Sequence, residues 1–181
     1  MKLIKNLPNW TSSWEFLADI DYYSKQFEIE KDILIAIIQV ESCGNANATR
    51  YENFYKWVYD LDGMTEKHNK AGLFITKETV NILQKTSFGI MQAMGSLFYQ
   101  YRLHVETNYK LLPVNMINPR LSLEVGCRHL KNLITSQRLS NPLDIYAAYN
   151  AGSVRLLNGK YSNQSNVDNF NKAYSDIQKL N

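Results

Sequence analysis

The hydrophobic pattern of the chain centres on one stretch. From Lys31 to Val40 it contains the unbroken apolar run Ile33-Leu34-Ile35-Ala36-Ile37-Ile38, and it stops at Glu41-Ser42-Cys43-Gly44. Read as a helix over about Glu30 to Ser42, this run is apolar on nearly every side, which predicts burial in the middle of a domain. Counting back from Glu41 at helical spacing gives Ile38, Ile37 and Leu34, so the carboxylate belongs to an apolar face. Gly44 reads as the helix stop.

Shorter patterns flank it. Asn9 to Gln26 predicts a helix with Ser12 and Glu15 as a capping box and Trp14, Leu17 and Ile20 facing inward. After a loop at 45–49, Tyr51, Phe54, Tyr55, Trp57 and Tyr59 crowd one short stretch. Asp60 to Ala71 turns polar, with Gly63 and Gly72 as breakers, and reads as a loop or flap. Gly72 to Thr76 fits a short strand. Thr76 to Lys85 predicts a helix, and Phe88, Met91, Met94 and Phe98 extend a helical period over Ser87 to Arg102. Asn118-Pro119 opens a long helix over about Leu121 to Gln137 with the stripe Leu123, Cys127, Leu130 and Leu133. Asn141-Pro142 is a cap and first-turn proline for Leu143 to Asn150, and Val167 to Leu180 is amphipathic through Phe170, Tyr174 and Ile177. The class is mainly α, with one small β-hairpin near the flap.

Composition narrows the partners. A chain of 181 residues with 45% hydrophobic content suits one core, so one domain over 1–181 is expected. The formal net charge is +3, and the basic residues are dispersed, which gives no support for nucleic-acid binding. A mildly basic surface suits an anionic polymer such as a bacterial cell wall. No window approaches the roughly 18 apolar residues of a membrane span, and the start lacks the apolar segment of a secretory signal. Cys43 and Cys127 have no metal-type spacing and read as isolated thiols, although they could pair in an oxidising compartment. His68, His104 and His129 lack a matching nucleophile or ligand set.

Glu41 carries the candidate chemistry. An apolar setting and the negative end of a helix dipole both disfavour its ionised form, which marks a carboxylic acid able to keep its proton near neutral pH. The competing reading is a glutamate at the frayed end of a core helix, bonded to an arginine or to water.

Three segments in order weigh on that choice: Glu41-Ser42, then Ser87-Phe88-Gly89-Ile90-Met91-Gln92, then Ala147-Ala148-Tyr149-Asn150-Ala151-Gly152. Together they resemble the signature motifs of the lysozyme-like lytic transglycosylases, the superfamily that also holds goose-type lysozymes. The resemblance covers about 30–158, and Gly126 falls where that family tends to carry a helix glycine beneath its active site. The spacing between Glu41 and Gln92 is longer than in common bacterial members, with an insertion at about 45–86. Arg50-Tyr51-Glu52 is similar to the start of that insertion in phage or prophage-type members.

The resemblance implies a lysozyme-like fold and cleavage of the β-1,4 bond between N-acetylmuramic acid and N-acetylglucosamine in peptidoglycan, without metal or cofactor. Glu41 would be the acid and then the base, leaving a 1,6-anhydro end, a cycle that suits a pKa of about 6 to 7. Ser42, Ser87, Gly89, Met91, Gln92, Tyr149 and Asn150 are the implied substrate-binding residues. Tyr149 would donate to Glu41 or to the sugar, Gly89 would let backbone approach the sugar, and Gln92 would offer its amide from a helix start. Met91 also fits plain core filling, and Asn150 and Gly152 also fit a turn. Tyr55 and Trp57 suit either a glycan-cleft wall or packing of the insertion. A monomer acting on the cell wall, as in bacteriolysis or as an endolysin, is expected. The alternatives are a water-using muramidase with a second acid among Glu52, Asp60, Asp62 and Glu66, and a non-catalytic glycan-binding component.

Overall fold

The computed structural model describes residues 17–102 and 110–180. The proposed capping box at Ser12 and Glu15, Trp14 and His104 lie outside them. The described elements are α1 Leu17–Phe27, α2 Lys31–Ser42, β1 Thr49–Tyr51, α3 Leu61–Lys70, α4 Lys77–Gln84, β2 Thr86–Phe88, β3 Ala93–Met94, α5 Gly95–Arg102, a 3-10 turn Pro113–Ile117, α6 Pro119–Gln137, α7 Pro142–Ala151, β4 Leu156–Leu157, β5 Lys160–Tyr161 and α8 Gln164–Leu180. The class is mainly α, as the periodicities predict. No helix among the described residues is long and apolar enough to cross a membrane.

The helix starts follow local chemistry. Asn141 Oδ1 accepts from the Leu143 amide at 2.8 Å and Asn118 Oδ1 from the Arg120 amide at 3.0 Å, each with proline at the first helical position. Thr76 Oγ1 caps α4 through the Thr79 amide at 3.1 Å. Helix α2 ends at Ser42, where the pattern places its end: Cys43 takes a left-handed conformation (φ 50°) and passes the turn on to Gly44 (φ 74°).

Two hydrophobic cores share α6. One collects Leu34, Ile37 and Ile38 of α2 with Leu123, Cys127 and Leu130 of α6, Tyr146 of α7 and Phe170 and Ile177 of α8. The other gathers Met64, Val80, Phe88, Phe98, Tyr99 and Met116 around Val125 of α6. All six residues from Ile33 to Ile38 are buried, as an all-round apolar helix requires. Cys127 is buried, Cys43 is partly buried, and neither is in a disulfide.

Four segments differ from the sequence expectation. Residues 60–71 are not a flap: α3 forms because Asp60 Oδ1 caps it through the Gly63 amide at 3.1 Å, and Met64 and His68, one turn apart, are both buried. Gly63 is no breaker there, since a Cβ would meet the Asp60 carboxylate at 2.2 Å. Residues 87–94 are a hairpin, not helix. Gly89 (φ 74°) and Gln92 (φ 47°) reverse the chain between β2 and β3, with Ser87 opposite Met94 and Phe88 opposite Ala93. The helical spacing of Phe88, Met91 and Phe98 arose because strand, turn and helix positions all point into cores.

The hairpin joins β1, in register Arg50 to Ser87, to make a three-stranded sheet, and β4–β5 form a second hairpin. No strand forms at 72–76: Phe74 is left-handed (φ 49°) and the Ile75 amide is spent on Asn69 Oδ1 at 2.7 Å. The stretch 51–59 is not core packing, because Phe54 and Trp57 are 89% and 72% exposed.

The β2–β3 turn sits directly on α6. A Cβ at Gly126 would stand 2.8 Å from Met91 Cε and 2.9 Å from its Cβ, so only glycine admits this approach. Gly126→Ala is expected to cost about 1–3 kcal/mol through overpacking, partly offset by about 1 kcal/mol of helix propensity. Urea unfolding should therefore show a net loss of stability, where an uncrowded helix glycine would show a gain.

Candidate functional site

The site forms where the C-terminal end of α2 meets the β2–β3 turn and one face of α7. Glu41 is the penultimate residue of α2, and its carboxylate faces the dipole's negative end. Tyr146 donates its hydroxyl to Glu41 Oε1 at 3.0 Å, and the Asn150 side chain lies close enough to favour the charged carboxylate as well. Tyr146 and Asn150 are four residues apart on α7 and so share a face.

Glu41 holds its proton more tightly than an ordinary glutamate. Burial is the main cause and the Glu52 charge adds to it; the Tyr146 bond, the Arg50 charge and the Asn150 side chain act the other way. Arg50 and Glu52 are themselves ion-paired beside the site. Tyr146 stays a phenol, because burial and the adjacent Glu41 raise its own value.

The donors to Glu41 are held from behind. Tyr146 stacks on Phe170 of α8 with ring centroids 4.6 Å apart and 5° between planes. Asn150 Oδ1 accepts from both Asn163 Nδ2 and Asn166 Nδ2 at 2.9 Å. With its oxygen so occupied, the Asn150 amide is left its NH2 group as the end able to favour the carboxylate. The short segment before α8 and the start of α8 thereby orient a side chain on α7.

The motif residues come together around Glu41, but most are committed to one another. Ser42 Oγ donates to Ile90 O at 2.8 Å and to Ile38 O at 3.2 Å, tying the end of α2 to the turn. Ser87 is buried and donates to Gln92 Oε1 at 2.9 Å. Gln92 Nε2 donates to Ala48 O and Gly89 O at 2.8 and 2.9 Å. The Gln92 amide thus braces a turn; it does not open a helix, and its polar atoms are spent internally.

Three further expectations are corrected. Tyr149 does not donate to Glu41: its hydroxyl binds Met91 O at 2.7 Å, and Tyr146, one turn earlier, makes the bond instead. Met91 is fully buried against Gly126, with its amide on Ser122 Oγ at 3.1 Å, so its side chain has no surface for a ligand. Gly89 is close-packed, but against the Met116 carbonyl, which a Cβ would meet at 2.0 Å. Sequence reasoning missed Tyr146, Arg50, Asn163 and Asn166 as site residues. The four-residue spacing of Tyr146 and Asn150 was a signal for the first; nothing local marks the others.

Of the four candidate second acids, only Glu52 is placed to influence Glu41. Asp60 caps α3, Asp62 pairs with Lys77 at 2.6 Å, and Glu66 pairs with Lys70 at 2.5 Å. Among the described residues no group of three His, Cys, Asp or Glu side chains is placed to hold a metal ion.

The family model described as the transglycosylase SLT domain matches residues 19–171. That match extends past the 30–158 span of the sequence motifs and takes in most of α1 and the first part of α8. No curated protein and no solved structure matches the chain.

The raised proton affinity of Glu41 has a stability consequence. Between its ordinary value of 4.5 and the higher folded value, the folded state keeps a proton that the unfolded state has released. Stability therefore falls as pH climbs through that window and stays lower above it. Glu41→Gln removes the penalty and is expected to be more stable than wild type at neutral pH. The advantage should vanish below pH 4.5, as chemical denaturation across pH will show. Tyr146→Phe deletes a donor to the carboxylate, so NMR titration should find the Glu41 value higher still.

Proposed function

This chain belongs to the transglycosylase SLT domain family, whose members act on peptidoglycan, and on that premise we propose that it is a lytic transglycosylase with Glu41 as its single acid and base. The observation that carries the reading is the setting of Glu41: a partly buried, proton-retaining carboxyl that accepts from Tyr146 and has Asn150 and Arg50 beside it. The substrate is the β-1,4 bond between N-acetylmuramic acid and N-acetylglucosamine, and the site of action is the cell wall. Because α6 serves both cores, the chain is read as one catalytic domain.

The reaction needs one residue in two protonation states. Protonated Glu41 delivers its proton to the glycosidic oxygen as the bond from that oxygen to the muramic acid C1 breaks, leaving an oxocarbenium-like centre. The Glu41 carboxylate then takes the proton from the 6-hydroxyl of the same sugar, and O6 closes onto C1 to give the 1,6-anhydro ring. The proton is returned to Glu41 and no water is consumed.

Burial supplies the acid, while the Tyr146 hydroxyl, the Asn150 amide and the Arg50 charge stabilise the carboxylate formed midway. That opposition keeps both forms accessible, which a one-residue mechanism requires. Ser42, Ser87, Gly89, Met91, Gln92 and Tyr149 act in this reading by fixing the turn against α2 and α6.

One observation favours a second reading, a water-using muramidase: the Glu52 charge acts on Glu41. In the leading reading that carboxylate is neutralised by Arg50 and serves to tune Glu41.

Purified peptidoglycan digested by the wild type is expected to release fragments ending in 1,6-anhydromuramic acid, detected by mass spectrometry. Glu41→Gln should lower the rate by about a hundred- to ten-thousandfold. Glu52→Gln should keep most of the activity and the same anhydro ends. Reducing ends from the wild type, with Glu52→Gln as inactive as Glu41→Gln, would favour the muramidase.

A further inference from the structure

The β4–β5 hairpin has no part in the chemistry above, yet its root and its tip are built differently. It joins α7 to α8, and its register sets Leu156 opposite Tyr161 and Leu157 opposite Lys160. Asn158 (φ 52°) and Gly159 (φ 73°) close it with the two left-handed residues that a tight two-residue turn requires. A two-stranded ribbon is marginal by itself in water, and this one draws its stability from the root. The Tyr161 hydroxyl donates to Asp144 Oδ1 of α7 at 2.7 Å, the Tyr161 amide to Gln164 Oε1 of α8 at 2.8 Å, and the Ser162 amide to Arg155 O at 2.8 Å.

The tip is apolar where a plain connector would be polar. Leu156 and Leu157 are 60% and 67% exposed. Adjacent strand residues point to opposite faces, so each face of the ribbon carries one leucine. Leu156 shares its face with Tyr161, the residue bonded to α7, and is exposed all the same. The tip therefore reaches past the body of the protein with both faces open.

The charges on this stretch are of one sign. From Ile145 to Val167 the charged residues are Arg155 and Lys160, both positive and both exposed. Among the described residues neither is ion-paired. Lys160 lies directly across from Leu157, and Arg155 stands two residues before it on the same strand face. That face reads cation, leucine, cation.

This combination selects its partner. Sugar rings are met by flat aromatic faces, which branched leucine side chains do not provide. A shallow protein groove covers one face of a strand and leaves the leucine on the other in water. A bilayer surface is fluid and closes round both faces, while its phosphates take the cations and their aliphatic stems lie along the leucines. We propose that the β4–β5 hairpin is a docking element for an anionic lipid bilayer, with Leu156 and Leu157 entering the headgroup region and Arg155 and Lys160 on lipid phosphates. Asn163, two residues beyond the hairpin, holds Asn150, so docking there fixes how the Glu41 site is oriented to the surface.

The test is co-sedimentation of the full chain with vesicles of phosphatidylcholine alone and of phosphatidylcholine mixed with phosphatidylglycerol. Wild type is expected to pellet with the anionic vesicles, less with the neutral ones, and less as salt rises. Leu156→Ser/Leu157→Ser should weaken binding about tenfold or more. Arg155→Gln/Lys160→Gln should weaken it by about fivefold per cation on anionic vesicles, with little change on neutral ones. Phe54→Ser, which removes a more exposed apolar residue on the insertion, should pellet like wild type. Because all these side chains are exposed, thermal unfolding of each variant should match wild type, and the leucine variant should digest peptidoglycan at the wild-type rate. Wild type left in the supernatant with anionic vesicles overturns the proposal, as does a leucine variant that pellets as well as wild type. Release by Phe54→Ser as large as that by the leucine variant places the contact elsewhere and overturns it too. A wild type that ignores vesicles but binds insoluble peptidoglycan through the two leucines makes the tip a wall contact instead. None of these outcomes bears on the products of peptidoglycan cleavage, so the docking element and the enzymatic reading stand or fall separately.

Discussion

A carboxyl group at the end of an apolar helix is unstable as an anion unless something offers it hydrogen bonds, and the site is built around that constraint. Helix α2 is buried along Ile33 to Ile38, and its last turn delivers Glu41, itself partly buried, to a place that disfavours its charge. The compensation comes from α7, which places Tyr146 and Asn150 four residues apart to face it. Neither donor stands alone: Phe170 backs one, and Asn163 and Asn166 hold the other. A local electrostatic problem at residue 41 is thus answered by groups over a hundred positions away.

The β2–β3 turn is the second constraint. It has to enter a confined space between the end of α2 and the spine of α6, and glycine on both sides permits this. Gly89 meets the Met116 carbonyl, and Gly126 makes room for Met91. Once there, the turn is stitched by Ser42, Ser87, Gln92 and Tyr149, whose polar atoms are used inside the protein. Motif residues that look from sequence like a set of ligands to substrate are in large part a set of ligands to one another.

The insertion carries a different balance. Part of it is ordinary folding: Asp60 caps α3, and Met64 joins the second core. The aromatic segment before α3 is not folded inward, yet it is tethered by Gln84, Ser96 and Lys85. Exposed rings on a fixed backbone differ in kind from exposed rings on a loose loop, because their geometry is set before any ligand arrives.

Wherever a single physical rule operated over a short range, the sequence was a sufficient guide. The apolar run of α2, the Asn-Pro starts of α6 and α7, the stripe Leu123, Cys127, Leu130 and the awkward position of Glu41 are all of this kind. Where several elements competed for the same residues, it misled. Phe88, Met91 and Phe98 satisfied a helical period while belonging to strand, turn and helix, since periodicity records burial and burial does not specify backbone. Tyr149 was the tyrosine the motif brought forward, but only the packing of α7 against α6 and α8 decides that Tyr146 reaches Glu41 and Tyr149 reaches Met91. Sequence alone determined that an acid ends the apolar helix and which short segments gather round it. The tertiary structure decided which side chains touch it, because a hydrogen bond depends on ångström-scale distances between elements that spacing along one chain does not encode.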